Sequence, residues 1–231
     1  MLGATATKVE GGQRRARFGL LFAAISTTFL VQGTLHQSEL KQAVVSVLLG
    51  GTLLLAFWSA DMPERRLKRA MWIIGAGVAA VLLALIFGSG EVIYGAVAIA
   101  NGLLVLLAPP SIVVGVIRSL RKHGQVTMEA VLGALCFYML AGMFFAFIYG
   151  AIENLGGSPF FAGGSDWTTQ RGVYFSFTTL TTTGYGDYTA RSDIGHMLSV
   201  TEALFGQIYL VTVVAVIVGN LGPRRSFDRP D

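Results

Sequence analysis

Six apolar stretches, each long enough to cross a bilayer, dominate this sequence: residues 18–35, 42–60, 71–88, 92–117, 127–152 and 194–219. A helix needs about 20 mostly apolar residues to span the hydrocarbon core. Backbone polar groups find no water there, so such segments are restricted to helices. The expected fold class is an all-α membrane protein with six transmembrane helices. Charge content supports this: 13% of the 231 residues are charged, against about 25% in soluble domains. Arg14, Arg15 and Arg17 before the first stretch resemble a signal peptide. The stretch is long for one and no small-residue cleavage site comes after it, so it is read as a retained span.

The loops give an orientation. Lys8, Arg14, Arg15 and Arg17 precede the first span; Arg65, Arg66, Lys68 and Arg69 come after the second. Arg118, Arg121 and Lys122 come after the fourth, and Arg224, Arg225 and Arg229 after the sixth. The alternate loops are poor in cations, carrying Glu39 and Lys41 in one and Glu91 in another. Lysine and arginine collect on the cytoplasmic side, so both termini are expected there. The implied organisation is a cytoplasmic segment 1–17, a four-helix membrane domain 18–120, a two-span domain 121–220 and a cytoplasmic tail 221–231. That leaves no room in these residues for a folded regulatory domain. Asp61-Met62-Pro63 ends the second span, and Pro109-Pro110 predicts a bend or break in the fourth. The single cysteine, Cys136, lies in an apolar run and reads as a small buried hydrophobe.

About 40 residues separate spans five and six, too many for a tight turn. Turn-rich sequence at 153–159 and 162–166 gives way to the run Gly172-Val173-Tyr174-Phe175-Ser176-Phe177. A dozen helical residues from Thr169 rise about 18 Å, too little to cross. The backbone after such a helix must return to the same side, which is tolerated only where protein buries it or a wet cavity receives it.

After the short helix comes the run Thr178-Thr179-Leu180-Thr181-Thr182-Thr183-Gly184-Tyr185-Gly186-Asp187. Threonine runs alone suit strands, but G-Y-G-D between two spans is far more specific. Residues 127–219 thus resemble the pore domain of potassium channels: outer helix, re-entrant pore helix, filter and inner helix. The whole subunit resembles the six-span, voltage-independent bacterial type. The resemblance implies a homotetramer in a prokaryotic inner or plasma membrane, passing K+ passively and needing no cofactor. Main-chain carbonyls replace the hydration shell of the ion in such filters. Carried over by position, the ion ligands are Thr182, Thr183, Gly184 and Tyr185, with Gly186 completing the filter. Consecutive carbonyls face one axis only if backbone handedness alternates, which suits Gly184 and Gly186. The resemblance turns Tyr185 away from the pore against the pore helix, and places Tyr174 and Phe175 in the aromatic cuff.

Two departures stand out. Thr183 replaces the usual valine, and its hydroxyl needs a partner, for which Thr178 or Thr179 is the candidate. Selectivity is expected to survive, since the carbonyl faces the ion. Thr178 stands where some members carry a glutamate, leaving Asp187 to bond Tyr174 or water. The negative end of the pore-helix dipole, near Thr181, favours a cation in the cavity.

Gly206 lies 20 residues after Gly186, matching the family's hinge position, with a packing glycine as the alternative. Leu210, Val214 and Ile217 or Val218 then share a cavity-facing side able to gate by dewetting. Glu202, one turn before Gly206, is read as an anchor behind the filter, with direct ion contact as the alternative. Glu129 is read as interfacial and His196 as a polar cap. Residues 92–117 hold no lysine or arginine, so little intrinsic voltage sensing is expected. The alternatives are a potassium-transporter subunit or a weakly selective monovalent cation channel. No nucleophile–base pair, metal spacing or phosphate loop suggests an enzyme, and nothing suggests nucleic acid as a partner.

Overall fold

The computed structural model describes residues 2–34, 38–59, 64–88, 90–123, 128–164 and 166–219. Among the described residues seven α-helices carry the fold: α1 Leu2–Thr34, α2 Glu39–Ser59, α3 Glu64–Phe87, α4 Glu91–His123, α5 Met128–Leu155, α6 Thr169–Leu180 and α7 Asp193–Gly219. Six are long and apolar enough to cross a membrane; α6, with 12 residues, is the short one.

Of the first four helices, α1 and α4 pack on α5 of their own chain, while α2 lies against α1 and α4, and α3 against α2 and α4. One core joins Leu21 and Ile25 of α1, Leu49 and Leu53 of α2, Ile74 of α3, Val105 and Ile112 of α4, and Leu140 and Met143 of α5. Cys136 is fully buried in it, as expected of a small hydrophobe. Helix α1 also reaches α6, where the rings of Phe29 and Phe177 stand 4.7 Å apart. Arg17 of α1 lies 4.2 Å over the Trp58 ring of α2, a cation–π contact between the two helices.

Residues 2–17 are helical and run without interruption into the rest of α1. Two expectations need correction. The break expected at Pro109-Pro110 is absent, since α4 runs as one helix to His123. Buried Val105 and Ala108 before the pair and Ile112 after it belong to a single core, and that packing holds the helix across its missing donors. Glu129 is 3% exposed, so protein rather than an interface surrounds it. The turn at Asp61-Met62-Pro63 and the cationic tail at Arg224, Arg225 and Arg229 lie outside the described residues. So do Leu35, Thr127 and the side chains of Arg118, Arg121 and Lys122.

Candidate ion-conduction site

The chain between α5 and α7 folds into an aromatic platform before it turns inward. Phe160, Phe161, Trp167 and Phe175 pack edge-on or stacked around Tyr149 of α5, with ring centroids 4.8 to 5.8 Å apart. The Glu153 carboxylate accepts the Phe160 amide at 2.5 Å. Phe161 and Ala190 form a single antiparallel bridge, which ties the loop before α6 to the segment after the G-Y-G motif.

Helix α6 begins at Thr168, an extended N-cap whose side chain accepts the Arg171 amide. It ends at Leu180. The chain then reverses across the end of the helix. The amide of Thr182 donates to the Thr179 carbonyl at 2.8 Å, and those of Thr183 and Gly184 to the Thr178 carbonyl at 2.8 and 3.1 Å. Across a trans peptide, N–H and C=O point in opposite directions, and no peptide here is cis. With these amides aimed at α6, the carbonyls of Thr181, Thr182 and Thr183 point away from it.

Backbone handedness alternates through the same run. Thr182, Gly184 and Gly186 have φ of 56°, 49° and 79°, while Thr183 and Tyr185 between them do not enter the left-handed region. The two glycines take this conformation without penalty. Thr182 does not: a β-branched residue there is strained by about 1–2 kcal/mol. Its strain is the one conformational feature that residue types alone do not announce.

The support residues divide into two groups. Tyr185 stacks on Tyr174 of α6, centroids 6.3 Å apart and planes within 11°. Phe175, the next residue on α6, is buried in the aromatic platform. Adjacent residues on a helix diverge by about 100°, which separates the two rings. Thr178 and Thr179 support the loop through their carbonyls. The Thr178 hydroxyl turns back to Phe175 O at 3.0 Å.

The partner of the Thr183 hydroxyl is therefore neither Thr178 nor Thr179 but Thr181, 2.9 Å away. Thr181 already donates to Phe177 O at 2.7 Å, so Thr183 is the donor. Changing Thr183 to Val removes this exposed bond and leaves Thr181 satisfied. The expected cost is at most about 1 kcal/mol, with ion selectivity retained in reversal-potential measurements.

Helix α7 closes the back. Glu202 is fully buried and accepts from Tyr149 Oη at 2.6 Å, with Ser176 Oγ at 2.5 Å from its other oxygen. It anchors α5 and α6 behind the loop and does not line the exposed run 181–187. Gly206 packs against the last carbonyl of α6: a Cβ there would lie 2.0 Å from Leu180 O. Tyr138 donates to that same carbonyl at 3.2 Å. Helix α7 is unbroken through Gly206, and Leu210 is exposed on it. The side chains of Val214 and Val218 lie outside the described residues. His196 Nε2 bonds Ala190 O at 2.8 Å, a cap for the segment entering α7.

Residues 133–221 match the family model described as Ion channel. No curated protein and no solved structure matched the chain. The matched segment takes in nearly all of α5, the short α6 with the G-Y-G turn after it, and α7. Residues 133–221, less than half of the chain, are thus similar to an ion-channel family, in a protein whose described residues include six helices long and apolar enough to cross a membrane.

Proposed function

We propose that four copies of this chain assemble around one axis and conduct K+ selectively and passively across a cell membrane, both termini cytoplasmic. The observation that carries this is the alternation at residues 182–186. Left-handed Thr182, Gly184 and Gly186 interleave with Thr183 and Tyr185, while amides of the run are spent on α6. Such a backbone presents successive carbonyls to one side, as stripping the hydration shell from a cation requires. The proposed ligands are the carbonyls of Thr182, Thr183, Gly184 and Tyr185, with the Thr182 hydroxyl facing the cavity.

Assembly follows from exposure. In one chain, residues 181–187 are exposed. Irregular polar backbone at membrane depth is tolerated only against protein or a water-filled cavity. A ring of copies supplies both. Helix α7 offers an unburied apolar side for it, including Met197, Leu204, Ile208 and Val211. Leu210, Val214 and Val218 are the proposed cavity lining, and Gly206 remains the proposed hinge beside its packing role.

Purified protein in liposomes tests this. We expect fast K+ flux, with a bi-ionic reversal potential showing K+ strongly preferred over Na+. Near-equal permeabilities would instead make it a weakly selective cation channel. The same recordings are expected to show a shallow conductance–voltage relation, because no cation lies within residues 92–117 to move through the field. A steep relation that flattens on neutralising Arg118 and Arg121 would overturn this part.

A further inference from the structure

The contacts around Glu202 require one proton more than its neighbours can supply. Three short oxygen–oxygen contacts form a chain: Tyr149 Oη to Glu202 Oε2 at 2.6 Å, Ser176 Oγ to Glu202 Oε1 at 2.5 Å, and Ser176 Oγ to Gly142 O at 2.6 Å. Each such contact needs a hydrogen between the two oxygens. Tyr149 and Ser176 carry one each. The Gly142 carbonyl carries none, so the serine proton goes to it. The third hydrogen belongs on the Glu202 carboxyl. Ser199 adjoins Tyr149 but adds no proton, since its own goes to Gly195 O at 2.8 Å.

The surroundings agree. From α5, the titratable groups facing Glu202 are Tyr149 and, more distantly, Tyr138. From α6 the facing group is the Ser176 hydroxyl, and from α7 itself Ser199 lies nearby beside Tyr149. Among the described residues, no lysine, arginine or histidine pairs with the carboxyl. An ionised carboxylate with no exposure and no cation beside it is expensive to hold. A neutral acid that accepts from tyrosine and donates to serine fits the geometry.

We infer that Glu202 is a resident proton-binding site: its protonated carboxyl donates to Ser176, locks α5, α6 and α7 together behind the ion loop, and releases that support when the proton leaves. No bond other than O–H is made or broken, and the proton goes to water. Removing it leaves two hydrogens for three contacts and a buried anion at the back of α6. The lock is therefore complete at low pH and lost as pH rises through the titration of Glu202. That consequence for conduction rests on the channel reading above; the proton assignment does not.

Infrared spectroscopy of the full-length protein separates the two. A carbonyl band of a protonated, hydrogen-bonded carboxylic acid should be present at neutral pH and missing in Glu202→Gln. Ser176→Ala, which removes the acceptor, should shift that band to higher frequency. No difference band in Glu202→Gln, or an unshifted band in Ser176→Ala where the first variant fails to assemble, overturns the assignment. In liposomes, wild-type flux and the band should fall together at alkaline pH. Glu202→Gln, whose amide can still donate to Ser176 and accept from Tyr149, should conduct at alkaline pH where the wild type has stopped. Wild-type flux that stays level while the band bleaches overturns the link between proton and filter, with the assignment itself intact.

Discussion

Gly206→Ala is expected to abolish selective ion flux and to weaken the folded assembly. The added methyl would sit 2.0 Å from Leu180 O and 2.9 Å from Leu180 C. These are backbone atoms of the last turn of α6, so no side-chain rotation relieves the clash. Either α7 or α6 must shift by roughly an ångström or more. Overpacking of this kind costs about 1–3 kcal/mol per subunit, and it falls directly beneath the loop whose amides hang on Thr178 and Thr179. A hinge role alone makes a different forecast: altered open probability with selectivity and melting temperature unchanged. Thermal unfolding of the detergent-solubilised protein, paired with liposome flux, separates them. Gly219→Ala is the control, because a Cβ there meets nothing within 4 Å. An unchanged melting temperature in Gly206→Ala would refute the packing account.

The second large effect concerns the two glycines around Tyr185. A Cβ added at Gly184 or Gly186 meets nothing within 4 Å, so space does not forbid alanine. Conformation does. At φ of 49° and 79° an L-residue costs about 1–2 kcal/mol. In the proposed four-copy assembly that becomes about 4–8 kcal/mol per site changed. The cheaper outcome is a peptide flip, which turns a carbonyl out of line and an amide in. Gly184→Ala and Gly186→Ala should each lower K+ flux by at least about a hundredfold while leaving expression and the six-span topology intact. The comparison variant is Thr183→Val, which preserves φ and should conduct. Normal flux through Gly184→Ala would show that the alternating backbone is not the ion path.

Local pattern alone revealed the span count, the short helix α6 between the last two spans and the need for left-handed residues at Gly184 and Gly186. Apolar length, charge in loops and glycine position are properties of short stretches, and lipid leaves little else for such stretches to do. Glu202 was also legible as an anchor, since an acid within a span needs partners. Its identity as the knot of three helices was not. Tyr149 lies 53 residues away and Ser176 lies 26 away, and no spacing rule connects them.

The rest required the folded chain. The strain at Thr182 arises because the loop must alternate handedness whether or not glycine is present. The bond between Thr183 and Thr181 arises because the chain reverses over the end of α6. Phe175 leaves the side of Tyr174 because helical rotation separates neighbours. Helix α4 stays whole at Pro109-Pro110 because buried side chains on both sides of the pair share one core. Each depends on which surfaces meet across long sequence separation. A linear pattern states what a segment needs, while only packing decides which partner supplies it.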